Sequence, residues 1–221
     1  MVPLVRQARW RRRAAALYAK YRADTLIPFP MFADNLLLCA NVVSRPGAVA
    51  ECGVWRGGMV AAMAEVLGRN REYYLFDSFE GLPDADPVQD GPWAVQRLAA
   101  SATHPHGRAV AQAAEATAAM RRAGVTSPRV VKGWFKDTLA DFTPSTPLIV
   151  LRLDADLYDS TWQSLAALYP HLADGGLLLI DDYYSPWAGC ARAVHAYLAQ
   201  QHLPDRLRQT AAGVAYILKS S

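Results

Sequence analysis

The sequence contains no apolar run approaching the ~20 residues that a membrane-spanning helix needs. Its N-terminal charges are not followed by the apolar core of a signal peptide. We therefore expect a cytoplasmic protein without a membrane span. Cysteine is also scarce, because Cys39, Cys52 and Cys190 lie far apart and form no C-x-x-C pair. This spacing excludes a disulfide framework or a paired-cysteine zinc site, and it predicts buried thiols.

The excess of positive charge is small, at +3 over 221 residues of which 52% are hydrophobic. These values predict one globular domain with a sizeable core. The N-terminal segment before Asp24 is nevertheless strongly basic; its cations are Arg6, Arg9, Arg11, Arg12, Arg13, Lys20 and Arg22. With few aromatics between them, such a segment is more typical of a solvated helix face, or of a contact with an acidic partner subunit, than of a nucleic-acid site. We expect no nucleic-acid partner.

Two short, continuously apolar runs in residues 148–182 each end in a pair of acids. The first run ends in Asp154 and Asp156, and the second ends in Asp181 and Asp182. Such runs are typical of strands buried in a parallel sheet, and the segment between them is long enough for a crossover helix. A right-handed crossover brings both carboxyl ends to the sheet edge where open α/β sheets bind ligands.

Carboxylates gathered in this way repel one another unless a cation shares the site. Oxygen ligands favour a hard ion such as Mg²⁺, which retains open positions for water or substrate oxygens. The sequence therefore predicts a metal site at this edge. The alternative, in which an aspartate caps a helix or supports a turn, is preferred for Asp159 at the helix start and for Asp174 before two glycines.

A glycine-rich turn follows a short predicted strand over residues 48–52 and precedes a helix. This order is typical of a nucleotide cradle. A dinucleotide fingerprint needs glycine where Trp55 stands, which disfavours an NAD-dependent oxidoreductase. The pattern E-x-G-x-x-x-G instead resembles the first motif of S-adenosylmethionine-dependent methyltransferases. The candidate cofactor residues here are Glu51, Gly53, Trp55, Gly57 and Gly58.

The ends of the next two predicted strands supply further cofactor candidates. Asp77, followed by Ser78, stands where an acid accepts hydrogen bonds from ribose hydroxyls. Gly133 permits a close approach, and Trp134 or Phe135 is placed to flank an adenine ring. The competing interpretations are a turn aspartate and ordinary aromatic core residues.

Two regions flank or interrupt this framework. Two helices are predicted in residues 1–46, and we expect them to cover the active site or to form a subunit contact. The main domain is predicted to span residues 47–221. Residues 84–107 predict an irregular lid. The sequence leaves open whether its His104 or His106 contacts substrate.

Several motifs occur in a fixed order: AECGVWRGGM, LFDSFEGLP, KGWFKDTL, LRLDADLYDSTWQSL, LYPHLADGGLLLIDDYYSP and GCARAV. Over most of residues 48–198, the sequence resembles the TylF/MycF/NovP family of macrocin-type O-methyltransferases. The resemblance implies a class I methyltransferase (Rossmann-like) α/β fold. Its sheet is mostly parallel and seven-stranded, with helices on both faces and a C-terminal antiparallel strand pair. It also implies S-adenosylmethionine, Mg²⁺, and methylation of sugar hydroxyls on small natural products.

The resemblance further implies a role for each acid. Asp154, Asp181 and Asp182 hold the metal, and Asp156 is the candidate general base beside Asp154. Ala155 departs from the glycine that is usual in the family. A homodimer or larger assembly is implied as well. A catechol-type O-methyltransferase and a non-catalytic S-adenosylmethionine-binding protein stay open as alternatives, and the acceptor hydroxyl is not determined.

Overall fold

The computed structural model describes residues 4–103, 108–186 and 188–220. The helices in these ranges are α1 (Leu4–Tyr21), α2 (Phe29–Asn41), α3 (Gly58–Leu67), α4 (Pro92–Ala99), α5 (Ala113–Arg122), α6 (Phe135–Thr138), α7 (Tyr158–Leu168) and α8 (Ala188–Gln200). The strands are β1 (Ala48–Cys52), β2 (Tyr73–Asp77), β3 (Arg129–Lys132), β4 (Leu148–Leu153), β5 (Leu172–Ile180), β6 (Arg208–Gln209) and β7 (Ala215–Leu218). Among the described helices, none has both the length and the apolar character needed to cross a bilayer.

The strands form one seven-stranded sheet in the order β3-β2-β1-β4-β5-β7-β6. The first five strands of that order pair in parallel, and β7 is antiparallel to both β5 and β6. The predicted class I methyltransferase fold is therefore confirmed. Because the chain runs outward from β1 to β3 and then returns to β4, the strand order reverses between β1 and β4, which is where open α/β sheets bind ligands.

Helices cover both faces of the sheet, because the strand side chains alternate between two apolar clusters. Val49 and Leu179 face the side covered by α2, α3 and α5. Ala50 and Leu178 face the side covered by α7 and α8. The acids Glu51 and Asp181 lie two residues beyond apolar residues of the first cluster, so the alternation directs them to the same side.

Two local predictions differ from the structure. The stretch predicted as an irregular lid contains α4, which begins at Pro92 after Gly91 and buries Ala94 and Leu98 one turn apart. Proline suits the first position of a helix because its missing N–H has no partner there. Asp174 was predicted in a turn but lies within β5. The strand passes this point through a register irregularity, with Gly175 at a φ of +67°.

Candidate active site

A cavity of about 590 Å³ opens at the carboxyl edge of β1, β2, β4 and β5. Its walls are formed by the α1–α2 connection at residues 24–28, the glycine loop after β1, the lid, and the segments that follow β2, β3, β4 and β5. The lining residues that carry chemistry are Glu51, Asp77, Ser78, Asp90, Arg97, Arg152, Asp154, Asp156, Asp181 and Asp182. The four predicted carboxylates thus lie in one cavity together with the cofactor candidates.

Gly53, the first glycine of the loop, lies where the chain after β1 closely approaches the chain after β4. Gly53 has a φ of +84°, and a Cβ added there would lie 1.7 Å from the backbone oxygen of Asp154. Trp55 lines the cavity with a positive φ of 48°. Gly57 and Gly58 do not line the cavity; they pack against the backbone of α5 and of Asp24. The loop therefore joins the cofactor side of the cavity to β4 and to the N-terminal helices.

Asp77 fixes the shape of the glycine loop. Its Oδ2 accepts hydrogen bonds from the N–H groups of Val54 and Trp55, both at 2.7 Å, and its Oδ1 accepts one from Phe79 at 2.6 Å. Burial raises its pKa, and these hydrogen bonds oppose the rise. Ser78 is occupied in the following turn, where its hydroxyl donates to the carbonyl of Gly81. Oδ2 of Asp77 thus accepts two hydrogen bonds, whereas Oδ1 accepts one and can still accept a donor from a ligand.

The predicted adenine-flanking residues lie together on the cavity wall after β3. Gly133 has a φ of +145°, and a Cβ there would meet the methyl group of Thr138 at 2.7 Å. Trp134 caps the start of α6, where its carbonyl accepts a hydrogen bond from the hydroxyl of Thr138. Phe135 begins that helix, and all three predicted residues line the cavity.

Three of the predicted acids form a compact cluster. Asp154, Asp156 and Asp182 each offer a carboxylate oxygen, and these oxygens lie within 4.8 Å of one another. Oδ2 of Asp182 accepts a hydrogen bond from the backbone N–H of Asp156 at 3.0 Å. Asp156 adopts a φ of +56°, which is uncommon for a residue with a side chain and turns its carboxylate toward the cluster. Ala155, where the family usually has glycine, has no positive φ, so alanine is accommodated without strain.

Asp181 lies beside the cluster but faces Arg152, which the sequence predictions missed. Nη2 of Arg152 is 2.7 Å from Oδ1 of Asp181. Nη1 donates to Oε1 of Glu51 at 2.7 Å and to Oδ2 of Asp154 at 3.0 Å. A charged residue inside the otherwise apolar run LIVLRL, with a second charge inside AVAEC, was the available signal, because buried charges need partners.

The acids without an arginine partner show the strongest mutual repulsion. Burial, followed by the charges of Asp154 and Asp181, raises the pKa of Asp156 to about 8. Burial and its three acidic neighbours raise the pKa of Asp182 well above its ordinary value. Burial raises the pKa of Asp181 only to about 6, because Arg152 opposes the rise. A divalent cation would reverse these shifts, so the cluster has the electrostatic character of a cation site.

Asp90, in the lid, is a second residue that the sequence predictions missed. It is 3% exposed, and its Oδ1 accepts the N–H of Tyr158, the first residue of α7. A Cβ at Gly189 would lie 1.8 Å from the same oxygen. Arg192 of α8 donates to the carbonyls of residues 88 and 89. The lid is thus fixed to the helix that directly follows Asp156, whereas Asp159, predicted as the cap of α7, makes no capping hydrogen bond there.

The basic N-terminal segment is partly explained by its contacts with α3. Arg13 donates to the carbonyl of Glu65, and Lys20 forms an ion pair with the side chain of the same residue. These contacts secure α1 against the sheet domain. His104 and His106 lie outside the described residues.

The family model described as Macrocin-O-methyltransferase (TylF) matches residues 32–218. A tetracenomycin enzyme of Streptomyces olivaceus, 8-demethyl-8-(2,3-dimethoxy-alpha-L-rhamnosyl)-tetracenomycin-C 4'-O-methyltransferase, is 37% identical over 186 residues. That alignment covers 80% of this chain and 68% of the relative. Demethyldecarbamoylnovobiocin O-methyltransferase of Streptomyces niveus is 37% identical over 184 residues, covering 79% of this chain and 68% of the relative.

The solved structure of the O-methyltransferase NovP is similar to this chain, with a TM-score of 0.75 and 30% sequence identity. The superposition covers 90% of this chain and 83% of NovP. The likeness therefore extends over most of the chain.

Proposed function

The chain belongs to the macrocin O-methyltransferase (TylF) family, whose members use S-adenosylmethionine, and we propose that it methylates a hydroxyl of a sugar on a small natural product with the help of Mg²⁺. The observation that carries this proposal is the acid cluster of Asp154, Asp156 and Asp182 in the wall of the cavity that also holds the cofactor candidates. Methyl donor, metal and acceptor oxygen all have a place at one sheet edge.

The acceptor class follows from the relatives and from the lid. One relative is named as the 4'-O-methyltransferase of a rhamnosyl tetracenomycin C. Another is named as the O-methyltransferase of demethyldecarbamoylnovobiocin. In this chain the lid exposes apolar side chains beside the cavity, with Val88 at 75% and Trp93 at 44% exposure. The carboxylates of the acid cluster suit the hydroxyls of a sugar, and the apolar side chains of the lid offer surface to the group that carries it.

The metal would be held by Asp154, Asp181 and Asp182. Asp154 and Asp182 belong to the oxygen cluster, whereas Asp181 lies outside it with its Oδ1 against Arg152, so its part in holding the metal rests on the family resemblance. Oxygen donors of this kind suit Mg²⁺. A bound Mg²⁺ supplies Lewis acidity, which lowers the pKa of a hydroxyl placed beside it.

Asp156 would act as the general base. Its carboxylate lies in the same oxygen cluster as Asp154 and Asp182, and its backbone N–H donates a hydrogen bond to the carboxylate of Asp182. A carboxylate placed beside the proposed metal ligands is positioned to accept the acceptor's hydroxyl proton. Asp156 would take the hydroxyl proton while the acceptor oxygen bonds to the methyl carbon and the bond from that carbon to the sulfonium sulfur breaks, which leaves S-adenosylhomocysteine.

The cofactor would occupy the other half of the cavity. Asp77 accepts the ribose hydroxyls while holding the glycine loop, Gly53 and Gly133 permit close approach, and Trp134 or Phe135 flanks the adenine. The lid and the α1–α2 connection exclude water from the reacting atoms. The division into N-terminal helices at 1–46 and a main domain at 47–221, the homodimer or larger assembly, and the cytoplasmic location remain our predictions.

A labelled-methyl assay tests the reaction. The protein is stripped of metal with a chelator and then offered rhamnosides that carry an aromatic aglycone, the free sugar, or a catechol, with and without Mg²⁺. We expect methylation of the glycosides that disappears with chelator and returns with Mg²⁺. Preferential methylation of catechol would favour the phenol-directed alternative, and full activity with excess chelator would remove the metal from the proposal.

Calorimetry with the demethylated cofactor, S-adenosylhomocysteine, tests Asp77. The Asp77→Asn variant keeps the shape of the carboxylate but loses its charge, and we expect affinity to fall about tenfold or more because hydrogen bonds to charged groups are worth roughly 1.5–3 kcal/mol. The Asp84→Asn variant is the control, because Asp84 lies at the cavity rim with an 88% exposed side chain. Equal binding by both variants would mean that Asp77 does not contact the ribose.

A further inference from the structure

Arg152 occupies an unusual position for a charged residue. It lies within β4, all six residues of which are buried, and its own exposure is 0%. Complete burial of a guanidinium is costly unless several groups of opposite charge compensate it. The side chain also forms part of the cavity wall, so its partners lie at the site where cofactor and acceptor would meet.

The register of the sheet places those partners around Arg152. Glu51 is the residue directly opposite on β1, and Leu179 is the residue directly opposite on β5. Side chains two residues apart on a strand share a face, so Asp154 and Asp181 follow Arg152 and Leu179 on the same side. Regular strand pairing, which is rigid, therefore sets the arrangement.

The contacts of Arg152 divide between the two halves of the site. Glu51 precedes the glycine loop by two residues and is a candidate cofactor ligand, and it lies 2.7 Å from Nη1. Asp154 and Asp181 are candidate metal ligands, at 3.0 Å from Nη1 and 2.7 Å from Nη2. Arg152 contacts one oxygen of each of these three carboxylates and does not contact the other. The second oxygen of Glu51, Oε2, is buried without a hydrogen-bond partner among the described residues.

We propose that Arg152 is a positioning residue that orients the cofactor-side carboxylate of Glu51 and the metal-side carboxylates of Asp154 and Asp181 at the same time. This inference rests on the proposed function. By holding one oxygen of each acid, Arg152 fixes the orientation of the three carboxylates at the cavity wall. Partners that orient the ligands of a metal commonly change its affinity 10–100-fold when they are lost. Because the same guanidinium also holds Glu51, loss of Arg152 should weaken cofactor binding as well as metal binding.

The test compares Arg152→Lys with the wild type in two binding measurements that need no turnover. The lysine keeps the charge but loses the planar fork that reaches several carboxylates. Affinity for S-adenosylhomocysteine is measured calorimetrically without metal, and affinity for Mn²⁺ is measured by its electron paramagnetic resonance signal without cofactor. We expect Arg152→Lys to weaken both by about tenfold or more.

Two controls separate positioning from general destabilisation. Leu151→Ala alters the adjacent buried residue, which faces the other side of the sheet and belongs to the other apolar cluster. It is expected to lower the melting temperature while leaving both affinities within about threefold of wild type. Asp182→Asn changes an acid that forms no ion pair with Arg152, and it is expected to weaken Mn²⁺ alone.

The outcomes are distinguishable. A wild-type protein that binds neither probe contradicts the proposed function itself. A wild type that binds both, with Arg152→Lys losing only one affinity or neither, overturns the role of Arg152 and leaves the proposed function intact. If Leu151→Ala loses both affinities to the same extent as Arg152→Lys, the effect belongs to the stability of β4 and the positioning role is also overturned.

Discussion

Asp181 and Asp182 are neighbours in the chain, yet they face opposite electrostatic surroundings. Asp181 follows β5 on the side of Arg152, 2.7 Å from its guanidinium. Asp182 begins a short 3₁₀ turn, and its carboxylate accepts a hydrogen bond from the backbone of Asp156. Arg152 forms ion pairs with Glu51, Asp154 and Asp181, which we call the inner group. Among the described residues, no ion pair reaches Asp156 or Asp182, which we call the outer group.

The difference teaches how a fold can hold several carboxylates and still leave some of them reactive. The inner charges are neutralised by a residue of the sheet and therefore contribute to a stable framework. The outer charges repel each other and favour a cation or a proton, which is the property that a metal ligand and a general base require. Substitutions in the two groups should consequently differ in kind.

The largest effect is expected for Asp182→Asn in the outer group. Loss of this ligand should remove Mg²⁺ and with it several kcal/mol of transition-state stabilisation, so turnover should fall by about a thousandfold or more. The measurement is kcat with saturating cofactor, alongside Mn²⁺ binding. Asp141→Asn, an exposed acid outside the cavity, serves as the matched control. Near-normal turnover in Asp182→Asn would place the metal elsewhere.

Asp156→Asn is expected to act on the chemical step while metal and cofactor affinity stay nearly intact. General-base assistance is typically worth about 10²- to 10⁴-fold, and kcat should fall by an amount in that range. Raising the pH should partly restore the rate, because hydroxide replaces the missing base. If the variant instead loses Mn²⁺ affinity at unchanged maximal rate, Asp156 is a ligand and the roles of Asp154 and Asp156 are exchanged or shared.

Stability of the metal-free protein should change with opposite sign in the two groups. Asp181→Asn leaves part of the Arg152 charge uncompensated, so the free energy of unfolding should fall by about 1–3 kcal/mol. Asp182→Asn removes a charge that has only acidic neighbours, so stability should be unchanged or rise. Urea unfolding in the presence of chelator measures both. Equal losses in the two variants would show that the inner and outer groups do not differ.

The smallest effect concerns pH. Because the pKa of Asp156 is raised to about 8, the metal-free cluster holds a proton below that pH, and a metal ion must displace it. Mn²⁺ affinity should therefore rise with pH, by about tenfold per unit below pH 8 for one displaced proton, and level off above it. A flat profile in the wild type would mean that the acids are already ionised without metal.

Much of this arrangement follows from sequence patterns alone. The apolar run after Pro147 ends in Asp154, and the run ending in Asp181 and Asp182 pairs with it, because buried parallel strands end at a common edge. The position of Asp77 and the glycine loop follows from the same regularity. These residues are predictable since each is anchored to the end of a strand.

The residues that were missed depend on contacts between segments far apart in the chain. Arg152 and Glu51 are 101 positions apart, and their pairing requires the β1–β4 register, which no local pattern gives. Asp90 acts on Tyr158, 68 positions away, through the fold of the lid. Asp181 still follows the alternation of β5, whereas Asp182 begins a 3₁₀ turn, and the strand pattern in the sequence does not predict where that change occurs.

The two attachments of the lid have a practical consequence for redesigning what this enzyme accepts. At its base, Leu82 donates its N–H to the carbonyl of Arg108, and the guanidinium of that arginine pairs with Asp84. Farther along, Asp90 and Arg192 fasten the chain to α7 and α8. Residues 91–103, the described part of the stretch between these two attachments, therefore form a segment that can be exchanged as a unit. Loops from relatives with other acceptors can be grafted there while the base, the metal ligands and the cofactor cradle keep their supports.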